Sequence, residues 1–231
     1  MGIDQIHDSL SYFQFGNKTG IDLPGELGGI LPSREWKKIN KDEPWYRGET
    51  LITGIGQGFM TASPIQLALA TGAIANKGNL QTPRVLMHSQ SKNGESYLES
   101  IPKSKQIPIK DINNWELIIE AMKQTIYGKL GTAKRLNNKL NYTLAGKTGT
   151  AQVFGLDPEE EYIAENIDEK LRDHALFTAF APINNPQVAI AVIVENAGSG
   201  SSKAAPLARE LLDEYFSINP IETKKINEVD Y

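Results

Sequence analysis

The chain has no cysteine, and that absence removes disulfides, thiolate metal sites and cysteine nucleophiles together. It leaves the compartment open, because exported proteins that avoid stray thiols and many cytosolic proteins share it. No apolar run approaches the roughly 18–20 residues that cross a bilayer. The opening MGIDQIHDSLSYFQFG has no basic region followed by an apolar core, so it does not read as a signal peptide. Ile6 stands where a myristoylation signal wants Ser or Thr. Basic charge is also short. With 24 Lys and Arg against 28 Asp and Glu, the net charge is −4, which argues against a nucleic-acid binder. No internal repeat or low-complexity segment is visible.

What is present suits a globular protein. The 231 residues, 40% of them hydrophobic, can bury the core of one large domain or two small ones. Ile3, Ile6, Leu10 and Phe13 fall at helical spacing over residues 3–15, and Gly16 sits where such a helix stops. Residues 17–36 are dense in Gly and Pro and read as an ordered loop. KKINKDEPWYRGET (37–50) reads as an exposed polar stretch. After the glycine-broken run LITGIGQGFM, Thr61 or Ser63 caps a helix that begins at Pro64 and ends at Gly78.

Further along, QTPRVLMHS predicts a strand and QSKNGES a hairpin tip. DINNWELIIEAMKQTIYG predicts a capped amphipathic helix. Three strand-like runs follow, YTLAGKTGTAQV, HALFTAFAPI and QVAIAVIVENA. The Asn-Asn-Pro turn between the last two predicts antiparallel pairing. KAAPLARELLDEYF then closes the domain as a helix, and the polar end KKINEVDY reads as frayed. Between the first two strands, GLDPEEEYIAENIDEKLRD carries eight acidic and two basic residues. Carboxylates scattered in this way read as a solvated face, not a cation site.

The stretch LAGKTGTAQV (144–153) holds two motifs at once. Read from Gly146, GKT is the tail of a phosphate-binding loop, G-x-x-x-x-G-K-S/T. The first glycine of that loop would fall at position 141, which is Asn. The residues after the motif continue a strand where the loop needs a helix start. The nucleotide-binding reading therefore fails. Read from Lys147, KTGT is a strand motif. Side chains alternate along a strand, so Thr148 and Thr150 share one face and Lys147 takes the other. Two hydroxyls and an ammonium suit a ligand carboxylate. Gly149 leaves room for a ligand backbone to pair with the strand edge, and the Thr150 N–H can point at a developing oxyanion.

K-T-G accompanies S-x-x-K and S-D-N in penicillin-binding proteins and class A β-lactamases. The stretches TGIDLPGE, REWK, GIGQGFMTASPIQLALATGAIANKG, LAGKTGTAQVFG and LRDHALFTAFAPINNPQVAIAVIVENAG run through nearly all of residues 1–215. In order and content they resemble the back part of a class B penicillin-binding protein, within it the elongation-type branch, the penicillin-binding protein 2 group. The resemblance implies an α+β fold of the penicillin-binding-protein/serine β-lactamase kind, an antiparallel sheet packed by helices. It implies that residues 1–216 are the C-terminal part of one transpeptidase domain, followed by a polar tail, 217–231.

The same resemblance implies function. A serine of S-x-x-K attacks the penultimate D-Ala carbonyl of a peptidoglycan stem peptide, and the amine of a neighbouring stem resolves the acyl-enzyme. β-Lactams mimic D-Ala-D-Ala and trap that intermediate. Lys147 would complete the hydrogen-bond network beneath the nucleophile. Thr148 and Thr150 would hold the terminal carboxylate, Gly149 would give the ligand room, and the Thr150 N–H would form half of the oxyanion hole. GIGQG (54–58) would be the cleft floor or a plain tight turn. No cofactor, metal or nucleic acid is implied. The parent would act on the periplasmic side of a bacterial inner membrane, beside a membrane glycan polymerase and rod-shape proteins.

The nucleophile is expected to be absent. SQSK (Ser89–Lys92) and SIPK (Ser100–Lys103) fit S-x-x-K, and SKN (Ser91–Asn93) fits S-x-N. All lie in a polar hairpin region, where Asn-Gly and Pro oppose the helical turn that buries serine and lysine together. They read as chance matches, Met1 as an internal methionine of a longer parent, and the chain as inactive alone. A non-catalytic binding module, or a serine β-lactamase or D,D-carboxypeptidase relative, are the alternatives. The family sheet has five strands, two of them from before Met1, so QVAIAVIVENA would be left as an unusually apolar edge.

Overall fold

A computed structural model of the protein describes residues 1–98, 103–153 and 167–221. In chain order its elements are α1 (Ile3–Ser11), α2 (Arg34–Lys41), α3 (Arg47–Gly54), α4 (Pro64–Ala75), β1 (Asn79–Leu80), β2 (His88–Gln90), β3 (Ser96–Leu98), β4 (Lys105–Gln106), α5 (Asn113–Tyr127), β5 (Ala145–Ala151), β6 (His174–Ala181), β7 (Val188–Val194) and α6 (Ala204–Ile218). The fold is α+β, as expected. Strands β5, β6 and β7 form an antiparallel sheet in that order, with Thr148 opposite Phe177 and Phe177 opposite Val192. No described strand pairs with the outer edge of β5 or of β7.

Helices cover both faces of this sheet. On one side, Phe177, Ala179 and Val192 pack with Ala204, Ala208 and Leu212 of α6. On the other, Ala145 and Phe180 pack with Ala75 of α4 and with Ile119 and Met122 of α5. Alternation along β6 sends Phe177 to one layer and Phe180 to the other.

Helix α4 begins where the sequence places it. The Ser63 hydroxyl oxygen accepts a hydrogen bond from the Gln66 N–H, the Gln66 side-chain oxygen accepts one from the Ser63 N–H, and Pro64 takes the first helical position. The Gln66 side chain is fully buried. Its Nε2 lies 3.1, 2.8 and 2.7 Å from the carbonyls of Gln14, Asn17 and Gly28. One side chain thus satisfies a loop too irregular to satisfy itself. The loop is also tied by a backbone bridge between Ile30 and Thr61.

Four expectations need correction. Helix α1 stops at Ser11, and turns carry the chain to Gly16. Residues 81–87 are not a strand. Pro83 lacks an N–H, and the Val85 and Leu86 N–H groups go to the Asp22 carboxylate, at 2.6 and 2.8 Å. The polar stretch 37–50 is largely helical, in α2 and α3, and Lys37 within it is only 1% exposed. Helix α6 runs on to Ile218. The hairpin at Gln90–Ser96 forms as expected, with Gly94 at φ +84°, whereas the frayed end falls outside the described residues.

Candidate active site at the open edge of β5

Strand β5 carries the site. Its inner edge pairs with β6 in the antiparallel register Lys147↔Thr178, Thr148↔Phe177, Gly149↔Leu176 and Thr150↔Ala175. Its outer edge faces a cavity of about 410 Å³, lined by Lys147, Thr148, Gly149 and Thr150, by Ile55, by Thr132, and by residues 199–201. Lys147 also lines a second cavity with Gln124 and Gly128 at the end of α5, so it stands on the α5 side of the strand. All four sequence-derived residues are brought together at this edge.

Each polar group has a defined partner. Lys147 Nζ donates to the Thr148 carbonyl at 2.6 Å; among the described residues it makes no ion pair. Among the described residues no carboxylate compensates the ammonium at the cavity, which favours an anionic ligand group. The Thr148 and Thr132 hydroxyl oxygens lie 2.8 Å apart. Gln57 Nε2 donates to the Thr150 carbonyl at 2.8 Å, so GIGQG does reach the strand.

Two glycines make the site possible. A Cβ on Gly146 would come within 2.7 Å of the Phe177 ring. A Cβ on Gly200 would come within 2.3 Å of the Gly149 and Leu176 carbonyl oxygens. The 199–201 loop therefore rests directly on the β5–β6 backbone.

Thr132, Gln57 and residues 199–201 were not singled out in the sequence. Thr132 sits in a Gly-bounded turn and 198–202 is a Gly/Ser loop, both of which read as connectors. GIGQG was legible as a special backbone but not as a donor.

The SQSK match does not take the form of an S-x-x-K helix. Ser89 lies on β2 opposite Tyr97, and Lys92 lies in the turn after it, so no helical turn joins them. Ser100 lies outside the described residues, as does most of the acidic segment. Of that segment, Asp173 is buried, and burial pushes its carboxyl above the usual carboxylate range.

Lys-Thr-Gly-Thr on the edge strand of an antiparallel sheet packed by helices places here the K-T-G motif common to penicillin-binding proteins and class A β-lactamases. Residues 1–213 match the penicillin-binding protein transpeptidase domain, and the chain belongs to that family. Among curated relatives, it is 39% identical over 227 residues to the peptidoglycan D,D-transpeptidase MrdA of Haemophilus influenzae, covering 98% of this chain and 35% of the relative. It is 44% identical over 215 residues to MrdA of Escherichia coli K12, covering 92% and 33%. The chain thus spans about a third of the length of these relatives. Two solved structures agree. Pseudomonas aeruginosa PBP2 in complex with WCK 5153 superposes with a TM-score of 0.79 at 41% identity, over 93% of this chain and 44% of that one. PBP2 of Helicobacter pylori, in its complex with MreC, gives 0.81 at 31% identity, over 96% and 37%.

Proposed function

We propose that this chain supplies the substrate-cradling strand of an elongation-type peptidoglycan D,D-transpeptidase. The observation that carries the reading is the cavity at the outer edge of β5, where Lys147, Thr148, Gly149 and Thr150 meet around one space. A terminal D-Ala-D-Ala carboxylate fits between the Thr148 and Thr150 hydroxyls with the Lys147 ammonium beside it. The Thr150 N–H then faces the penultimate carbonyl as it becomes an oxyanion. Residues 1–216 act as the C-terminal part of one transpeptidase domain, with 217–231 as its tail.

The serine that forms the acyl-enzyme comes from outside these 231 residues. Its Oγ bonds to the carbonyl carbon, its proton passes to a neighbouring base, and D-Ala leaves with a proton on its amine. A second stem's amine then takes the acyl group and frees the serine. The parent works on the periplasmic side of the inner membrane with a glycan polymerase and rod-shape proteins. The Helicobacter pylori PBP2–MreC complex supports the rod-shape partner.

The test has two arms on the purified chain. Intact mass after incubation with a broad β-lactam should show no adduct that survives denaturation. An adduct on Ser89 or Ser100 would overturn the external nucleophile. Titration with an N-acylated D-Ala-D-Ala peptide should shift the amide signals of residues 148–150, and Lys147→Met should weaken that response. An unperturbed strand at millimolar peptide would overturn the cradle.

A further inference from the structure

Lys37 is a buried cation that the proposed chemistry does not use. Only 1% exposed, its ammonium bonds the Glu49 carboxylate and lies 3.2 Å from a Glu43 oxygen. It stands 4.3 Å from the centre of the Tyr46 ring and 5.8 Å from that of Phe59. Burial alone would push its pKa down, but the hydrogen bonds and charges of Glu49 and Glu43 hold it above the ordinary lysine value. Glu49 also accepts the Tyr46 N–H at 2.8 Å, which starts α3. Phe59 in turn packs on Trp36 of α2, with ring centres 5.3 Å apart.

These contacts have a common geometry. Tyr46 and Glu49 precede the GIGQG loop, and Phe59 follows it. Lys37 therefore grips the chain on both sides of residues 54–58. Within the loop, Gly56 and Gly58 sit at φ +79° and +78°, and the Gln57 N–H is tied back to the Ile52 carbonyl at 3.0 Å. The Gln57 backbone is thus fixed by the end of α3, and its side chain reaches out to the Thr150 carbonyl.

That carbonyl lies at the outer edge of β5, near its end. The N–H and C=O of one strand residue point to the same edge, and the next residue points to the other. Fixing the Thr150 carbonyl therefore fixes the direction of the Thr150 N–H, and it holds Ala151 in register against His174 of β6. We propose that Gln57 is a positioning residue for the Thr150 backbone, and that Lys37 sets Gln57 in place by clamping both flanks of the loop. The importance of Thr150 rests on the cradle reading above; the mechanical linkage does not.

Hydrogen–deuterium exchange of the ligand-free chain tests the linkage. Gln57→Met keeps the length and bulk of the side chain but removes the donor. It should speed exchange in residues 145–153 several-fold while β6 and β7 core segments keep their wild-type rates. Lys37→Met should produce the same local increase, although Lys37 lies outside the cavity. Wild-type exchange in Gln57→Met would overturn the donor role, and wild-type exchange in Lys37→Met would overturn the clamp. If Lys37→Met raises exchange throughout the chain, Glu43→Gln is measured in its place, because it loosens only the more exposed side of the ion pair. A local rise at 145–153 in that variant supports the clamp, and none overturns it. No ligand enters the measurement, so failure of D-Ala-D-Ala binding is a separate result.

Discussion

The hydroxyl oxygens of Thr132 and Thr148 lie 2.8 Å apart across the gap between the turn after α5 and strand β5. Either can donate, so the pair fixes the rotamer of Thr148, a side chain proposed to meet the ligand carboxylate. A single neutral hydrogen bond contributes about 0.5–1.5 kcal/mol. Thr132→Val should therefore weaken acyl-D-Ala-D-Ala binding by about two- to tenfold, whereas Thr132→Ser should restore it. An unchanged dissociation constant in Thr132→Val would show that Thr148 needs no support.

Gly200 has a sharper requirement. Any Cβ there meets the Gly149 and Leu176 carbonyl oxygens at 2.3 Å, and both belong to paired backbone that cannot step aside. Gly200→Ala should destabilise the chain by about 1–3 kcal/mol, the usual range for overpacking. It should also disturb the amide signals of residues 148–150 without any ligand. Thermal unfolding and a single correlation spectrum check both effects.

Acid should loosen the 19–26 loop. The Glu26 carboxylate accepts the Thr19 hydroxyl, the Thr19 N–H at 2.6 Å and the Gly20 N–H at 3.1 Å. These bonds, that of the Thr19 hydroxyl foremost, hold its pKa below the ordinary value of 4.5. A depressed carboxyl stabilises the fold above the unfolded pKa, and the contribution is lost as pH falls through the folded one. The thermal midpoint should therefore decline as pH drops below about 4.5. Glu26→Gln should flatten part of that decline. An identical pH profile in the variant would assign the acid sensitivity elsewhere.

Strand β7 predicts self-association. Its outer edge has no described partner, its sequence VAIAVIV carries no charge, and apolar edges of this kind recruit other strands. Leu51, Ile55 and Leu130 add exposed apolar surface, at 77%, 77% and 97%. The purified chain should sediment as larger species as its concentration rises. Ile193→Lys, which places a charge on β7 outside the packed clusters, should shift it towards monomer. A concentration-independent wild-type monomer that unfolds cooperatively would refute the idea.

The parts of this fold that were legible in the sequence are those where local rules and tertiary packing agree. Ser63, Pro64 and Gln66 announce α4, the Asn-Asn-Pro turn announces the β6–β7 hairpin, and Lys-Thr-Gly-Thr announces the site strand. The stretch 37–50 reads as exposed because Lys37 looks solvent-seeking, and only the convergence of Glu43, Glu49 and Tyr46 makes its burial tolerable. Residues 81–87 failed for the opposite reason. Their β-branched and apolar pattern is real, but the Asp22 carboxylate, over sixty residues away, claims the N–H groups a ladder would use. Thr132 and Gln57 were invisible because each acts through one atom on a partner remote in sequence.

The contacts of Gln66 carry a consequence for chain continuity. Residues 1–31 are held by a buried amide on α4 and by the Ile30–Thr61 bridge, not by the peptide bonds that follow them. Asp42, Glu43 and Pro44 lie exposed between α2 and α3. A protease that severs the chain there would leave two pieces still interlocked, and they would part only under denaturant. The opening forty residues behave as a wedge seated in the rest of the molecule, with the Gln66 amide at the bottom of the seat and Phe15 and Leu31 packed on Ala70 beside it.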